Sequence, residues 1–297
     1  MSPRIPDFLV IGAQKAGTTT LYADLRAQPA IGMSSVKEPE VLIKLPDARE
    51  ATAYYERLFP DNPAHRRRGE ASTHYSQRTL YAGLPERARE LLGGDLRLIY
   101  LVRNPVERAI SHHYHAYSRD RCDRDVDLAV RNDPAFVDNG RYAMQLAPWR
   151  DVFGPDSVMV IVFEEYVRDR AATLRAIGDF LAVPVDPSLI DAAKSFNKSE
   201  GNRVYGYLRP LLRGDLYRLW VRKAVPERLR QRVRDLVAPR APERPPPPRP
   251  DTVDWLIERL APDADALRQM LGRPQPIWDL EATRRKYAEP AQRAAQK

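Results

Sequence analysis

A single cysteine, Cys122, stands among the 297 residues. One thiol cannot close an intramolecular disulfide and leaves nothing from which to build a cysteine-rich metal site, so Cys122 is expected to be a partly buried, inert thiol. Long apolar runs are lacking too. The longest, Phe8 to Ala13 and Val158 to Phe163, fall far short of the ~20 residues that span a bilayer. The first residues do not show the basic, apolar and small-residue pattern of a cleavable signal, and a strand begins by Phe8. A cytoplasmic protein is expected. Internal repeats are absent, and no aromatic-rich nucleic-acid module accompanies the basic residues, so nucleic acid is not an expected partner.

A chain of this length, 43% hydrophobic, has enough apolar material for one large core. A single domain over 1–297 is expected. Its catalytic core would cover about 6–203, a basic helical and proline-rich insertion about 205–250, and a terminal helix and tail 251–297. The net charge of +8 is concentrated: residues 203–249 carry thirteen Lys or Arg against four Asp or Glu. Such a block suits an anionic partner. Two rival classes come from these features, a P-loop nucleotide kinase or hydrolase and a basic membrane- or nucleic-acid-binding protein. Contact with a membrane surface is the part of the second rival that survives the missing nucleic-acid module.

Phe8-Leu-Val-Ile11 ends at Gly12, and Thr19, Leu21, Tyr22 and Leu25 follow at helical spacing, which reads as strand, glycine turn, helix. Leu98 to Val102 ends at Arg103-Asn104-Pro105, with Pro105 suited to the first turn of a helix reaching about Arg119. Val158 to Phe163 precedes a helix over about 169–181. Continuous apolar strands alternating with helices predict an α/β fold, a P-loop-like parallel sheet with helices on both faces. Ligands in such sheets bind at the carboxyl ends of the strands, where Gly12 and Arg103 fall. Beyond Arg203, apolar residues from Leu208 to Trp220 share one helical face, a second helix is expected near Pro226, and seven prolines between Pro239 and Pro250 read as an extended linker. A last helix is expected over about 251–271, and the tail after Leu280 is expected to be poorly ordered.

Gly12-Ala-Gln-Lys15-Ala16-Gly17-Thr18-Thr19-Thr20 lies between strand and helix, where amides and the helix dipole make a phosphate cradle. In the nucleotide triphosphatase loop, Lys directly follows the second glycine and precedes Ser or Thr. Here Lys15 comes two residues before Gly17, which argues against ATP or GTP hydrolysis. His112, His113 and His115 have no completing carboxylate nearby, and helix neighbours diverge, so no metal is expected.

The segment Phe8 to Thr19 resembles the 5′-phosphosulfate-binding loop of sulfotransferases that use 3′-phosphoadenosine 5′-phosphosulfate (PAPS), and it is most similar to the carbohydrate branch containing heparan sulfate sulfotransferases and bacterial relatives. That resemblance implies sulfuryl transfer from PAPS to a hydroxyl or amine of a carbohydrate or glycosylated acceptor, leaving adenosine 3′,5′-bisphosphate, with no metal. It implies that Lys15, Ala16, Gly17, Thr18, Thr19 and Thr20 hold the 5′ group, and that Lys15 offsets charge on the leaving phosphate. Leu101 to Ser111 is similar to the family's 3′-phosphate segment, so Arg103 and Ser111 would anchor that phosphate. Arg203, near a segment like the family's donor-covering loop, would reach it too. Gly69-Glu70-Ala-Ser72-Thr73-His74-Tyr75 resembles the strand and turn that carry a catalytic carboxylate. Glu70 is thereby the expected general base and His112 the runner-up. His74 and Tyr142, the latter in a segment like the acceptor-side helix, are the expected acceptor contacts.

Overall fold

The computed structural model describes residues 3–191 and 243–295, with side chains as far as Ala288. Five parallel strands form its centre in the order β2-β3-β1-β4-β5. They are β1 (Phe8–Gly12), β2 (Ile31–Met33), β3 (Arg67–Ala71), β4 (Arg97–Val102) and β5 (Val158–Val162). β1 and β4 are two of the three apolar runs of the sequence, and Phe8 to Ile11 and Leu98 to Val102 are completely shielded from solvent. Strands buried on both faces need helices on both sides. Those that matter for the site are α1 (Thr18–Arg26), α2 (Val41–Lys44), α3 (Ala48–Leu58), α4 (Leu84–Leu92) and α5 (Pro105–Tyr117). They are followed by α6 (Val126–Asn132), α7 (Ala135–Asp138), α8 (Tyr142–Phe153), α9 (Phe163–Arg168), α10 (Arg170–Leu181), α11 (Pro250–Met270) and α12 (Leu280–Ala295).

The expected α/β architecture is therefore present, and the strand order explains where a ligand binds. The chain leaves β1 toward β2 but leaves β4 toward β5 on the opposite side, so the connections part at the carboxyl ends of β1 and β4 and open a crevice there. Two elements start where the side-chain chemistry directs. Asp47 accepts from the amides of Arg49 and Glu50, both at 2.9 Å, and starts α3. Asn104 accepts from the amides of Val106 and Glu107, with Pro105 at the first helical position of α5, so both use a side-chain cap for otherwise orphaned donors.

Several expectations change. The third apolar run ends one residue early as strand, because Phe163 opens α9. β2 has only three residues, too short to show a period in sequence. The tail after Leu280 is helical rather than poorly ordered: α12 is held by Asn104 Nδ2 donating to Thr283 Oγ1 at 2.8 Å and by Lys286 paired with Glu107 at 2.5 Å. α11 belongs to the same domain core, with Val253, Leu256, Ile257 and Leu260 packed in one cluster with Val106, Ala109 and Ile110 of α5. The helices expected near 208–220 and 226–236, and Arg203, lie outside the described residues. No helix among the described residues is long and apolar enough to cross a membrane.

Candidate active site

The loop after β1 is an anion cradle. Lys15 and Gly17 both take left-handed backbone conformations, φ 70° and 94°. A Cβ at Gly17 would meet the Phe163 ring at 2.6 Å, so only glycine lets the loop lie this close to α9. α1 begins at Thr18 with no side-chain cap. The amides of Thr20 and Leu21 both turn back to the Gly17 carbonyl, at 3.0 and 3.2 Å. Those of Thr18 and Thr19, in the first turn, have no acceptor inside the helix. A phosphate at this point would satisfy them and face the positive end of the helix.

Three cations surround the cradle. Lys15 is pushed down to about 8, by burial first and then by the positive charges of Arg119 and Arg103. A cation so destabilised gains from an arriving anion, which restores its proton. Arg103, at the end of β4, donates from Nη1 to the Lys15 carbonyl at 3.3 Å and lies over the Phe163 ring at 5.1 Å. Phe163 thus supports both the loop and the arginine. Ser111 sits two turns along α5, half-buried, on the helix whose start Arg103 precedes.

Tyr142 is not an acceptor contact. Its side chain is fully buried, and its hydroxyl donates to the Arg103 carbonyl at 2.7 Å while accepting from the Arg103 amide at 3.3 Å. Burial raises its pKa, so it stays a neutral phenol clamped on the backbone of Arg103. Behind it, Glu164 accepts from the Asn104 amide at 2.9 Å and from the Trp278 indole at 3.0 Å. The turn carrying Arg103 is therefore pinned from α8, α9 and the segment before α12. His112 is also corrected as the runner-up base. Burial and then the charge of Arg108 push its pKa to about 2, so at neutral pH it is an uncharged ring too weakly basic to take an acceptor proton. Its Nδ1 lies 3.5 Å from Arg108 Nη1 and its ring packs 4.6 Å from Phe136.

The largest correction concerns Glu70. Its carboxylate is completely buried. Tyr55 donates to one oxygen at 2.5 Å, and Tyr75 and Ser72 donate to the other at 2.5 and 2.7 Å. Burial raises its pKa against the opposing pull of these bonds. A group so enclosed cannot meet an acceptor. It ties α3 and the 3-10 turn Thr73–Ser76 to β3, and Ser72 passes the connection on by accepting from the Glu40 amide at 3.1 Å.

Partly buried carboxylates that reach solvent lie on the segment that Glu70 braces. Lys37, Glu38 and Glu40, between β2 and α2, were not anticipated. Lys37 Nζ sits 2.8 Å from Glu38 Oε1 and 3.4 Å from the hydroxyl of Thr18 in the cradle. Glu38 Oε2 accepts from Thr73 at 3.0 Å, and about 30% of its side chain is open to solvent. Burial would raise the pKa of Glu40, but bonds from Lys44 and His74 outweigh it and hold the group below the usual carboxylate range. His74, one-third exposed, is 2.5 Å from Glu40 Oε1 and so belongs to this rim. Ligand atoms of Glu38, Glu40 and His74 lie within 4.8 Å of one another. Both carboxylates are already paired with lysines, and nothing assigns an ion to them.

A family model described as sulfotransferase domain matches residues 5–211. The chain belongs to the sulfotransferase domain family. It is 28% identical over 209 residues to mouse heparan sulfate glucosamine 3-O-sulfotransferase 3B1, an alignment covering 67% of this chain and 51% of that protein. It is 24% identical over 201 residues to human bifunctional heparan sulfate N-deacetylase/N-sulfotransferase 2, covering 61% and 22%. The chain thus spans about half the length of the first of these relatives, and less of the second. Among solved structures, a sulfotransferase from Alicyclobacillus acidocaldarius superposes with a TM-score of 0.63 at 24% identity, covering 91% of this chain and 97% of that one. At that identity the likeness concerns the fold.

Proposed function

We propose that the protein transfers a sulfuryl group from PAPS to a hydroxyl or amine of a saccharide-containing acceptor. The observation that supports it best is the joint placement of an anion cradle and Arg103 on either side of one crevice, with the Lys37–Glu38 pair 3.4 Å from Thr18 of the cradle. The donor would supply the sulfuryl group and a phosphate leaving group. The amides of Thr18 and Thr19, with Lys15, would hold its 5′ end, Ala16 and Gly17 giving the loop its close approach and Thr20 closing the first turn. Arg103 and Ser111 would hold the 3′-phosphate. Lys15, protonated in the presence of that anion, would offset charge as the phosphate departs. Glu38 is the base in this reading: it is partly open to solvent, adjoins the cradle through Lys37, and would accept the acceptor proton as the acceptor atom bonds to sulfur. Lys37 and Thr73 fix the carboxylate for that purpose. No step assigned here calls on a metal. The names of the relatives support a carbohydrate acceptor, and a lone cysteine suits a reducing cytoplasm.

The test is incubation with isotopically labelled PAPS and a panel of saccharides, glycosides and phenols, with products read by mass. Glu38→Gln should lower kcat by roughly 10²–10⁴-fold, the usual contribution of a positioned base, while affinity for adenosine 3′,5′-bisphosphate holds. Normal turnover in that variant removes Glu38 from the mechanism. Stabilisation by ATP with magnesium above that by the bisphosphate would overturn the sulfotransferase reading.

A further inference from the structure

Glu38 also lines a cavity of about 640 Å³ between the β2–α2 segment and α3. Helix α3 has two faces of different character. Ala51, Tyr55 and Leu58 face the core, and Tyr55 is the residue that grips Glu70. Glu50, Tyr54 and Arg57, offset along the helix by four and three residues, line the cavity instead, as neighbours on one helical face do. The opposite wall includes Val36, Leu45 and Lys44.

Three properties of this cavity narrow its occupant. Its volume lies within the ~300–1,000 Å³ of sites that hold a small molecule. Its charges cancel: Glu38 and Glu50 stand against Lys44 and Arg57. Lys44 is already engaged by Glu40 at 2.7 Å, and the Arg57 guanidinium lies over the Tyr54 ring at 5.3 Å. Glu38 is in turn paired with Lys37 at 2.8 Å, so a sulfated or carboxylated sugar would meet a lining with no net positive charge, an arrangement that disfavours a polyanion. Finally, Val36, Leu45 and the half-buried Tyr54 supply an apolar floor beside polar ends. A tyrosine and the aliphatic stem of an arginine offer the kind of surface on which a ring or an apolar chain lies flat.

We infer that this cavity is the acceptor subsite and that its occupant is an uncharged glycoside with an apolar aglycone, not a polyanionic glycosaminoglycan. The aglycone would lie on Val36, Leu45 and Tyr54, the sugar hydroxyls would meet the charged ends, and one hydroxyl would reach Glu38. The inference rests on the sulfotransferase reading above and adds the class of acceptor to it.

Two measurements on the full chain test it. With PAPS as donor, octyl and aryl β-glycosides are compared with a size-matched heparan sulfate oligosaccharide. Separately, binding of an octyl glycoside is followed by calorimetry in the presence of adenosine 3′,5′-bisphosphate. The glycosides should show the lower KM. Tyr54→Ala should weaken glycoside binding and raise its KM by about tenfold, with kcat, melting temperature and bisphosphate affinity unchanged. Glu50→Lys should improve use of the anionic oligosaccharide, because it tips the charge balance of the cavity. Preference for heparan sulfate by the unmodified chain, or a Tyr54→Ala variant indistinguishable from it on glycosides, overturns the acceptor inference while leaving the sulfotransferase reading intact. A chain that binds neither the bisphosphate nor any acceptor overturns both.

Discussion

Removing Glu70 should unfold the protein before it slows the chemistry. In Glu70→Ala, the three hydroxyls that donate to the carboxylate at 2.5, 2.5 and 2.7 Å lose their acceptor in a fully buried setting. Two keep another contact: the Tyr75 hydroxyl also accepts from the Leu42 amide at 3.1 Å, and Ser72 accepts from the Glu40 amide at 3.1 Å. The Tyr55 hydroxyl is left with only the neighbouring Tyr75 hydroxyl, itself deprived of the carboxylate. A hydrogen bond to a charged group contributes about 1.5–3 kcal/mol, and orphaning a buried donor costs about 1–3 kcal/mol. One full loss and two partial ones, offset by release of a desolvated charge, give roughly 3–5 kcal/mol, the range found on breaking buried charge partnerships. For a chain of 297 residues, whose unfolding entropy is about 0.6 kcal/mol/K, that is a drop in Tm of about 5–8 °C. Glu70→Gln keeps shape and one acceptor oxygen and should cost about 1 kcal/mol. The assay is thermal unfolding of both variants followed by single-turnover kinetics well below the transition. Near-normal turnover in Glu70→Gln is expected. A Glu70→Gln variant with unchanged Tm and turnover reduced a hundredfold would refute the structural role and return the carboxylate to the chemistry.

Arg103→Ala should weaken adenosine 3′,5′-bisphosphate binding by about 1.5–3 kcal/mol, the contribution of a charged hydrogen bond, as read by calorimetry. Tyr142→Phe loses both bonds to the Arg103 backbone and should lower Tm and weaken the bisphosphate together, whereas a change in acceptor KM alone would contradict its burial. Because Lys15 is pushed down to about 8, the free protein loses that charge as pH rises through 8, and the unfolded chain, titrating near 10.5, binds more protons between these values. Folding stability should therefore rise with pH across 8 to 10.5 while bisphosphate affinity falls. Calorimetry near pH 8.5 in buffers of differing ionisation enthalpy should show proton uptake on binding, and its absence would contradict a depressed Lys15. His112→Asn should leave the pH–rate profile between 5 and 8 without a lost inflection, since a group titrating near 2 does not contribute one there.

Much of the anion cradle was legible because its signals are local. A continuous apolar strand, a glycine turn and a run of threonines occupy consecutive positions, and Asn104-Pro105 announces the start of α5 by capping chemistry alone. The rim around Glu38 was not legible for a physical reason. Glu70 and Glu38 are both carboxylates on short segments, and what separates them is whether hydroxyls from Tyr55 and Tyr75 enclose the side chain. That fact belongs to contacts fifteen and five residues away. A signal for Glu38 did exist in the charged tetrad Lys37-Glu38-Pro39-Glu40, but β2 before it is too short to mark a strand end. Tyr142 looked like a contact because an aromatic near a site can face either way. The order of α12 was hidden because its anchors, Trp278 and Thr283, bind groups 114 and 179 residues earlier.

Those anchors bear on how the protein is made. Asn104 caps α5 with its oxygen, and its amide nitrogen is claimed by Thr283, while Glu164 joins the Asn104 amide to Trp278. During synthesis, β1, β4 and α5 leave the ribosome long before residues 278–286 exist. The strands can assemble as they emerge, but the turn bearing Arg103 lacks its last braces until those residues arrive. A nascent chain would acquire its sheet early and the braced Arg103 turn late, so anion-binding competence should report the arrival of residues 278–286 rather than formation of its core.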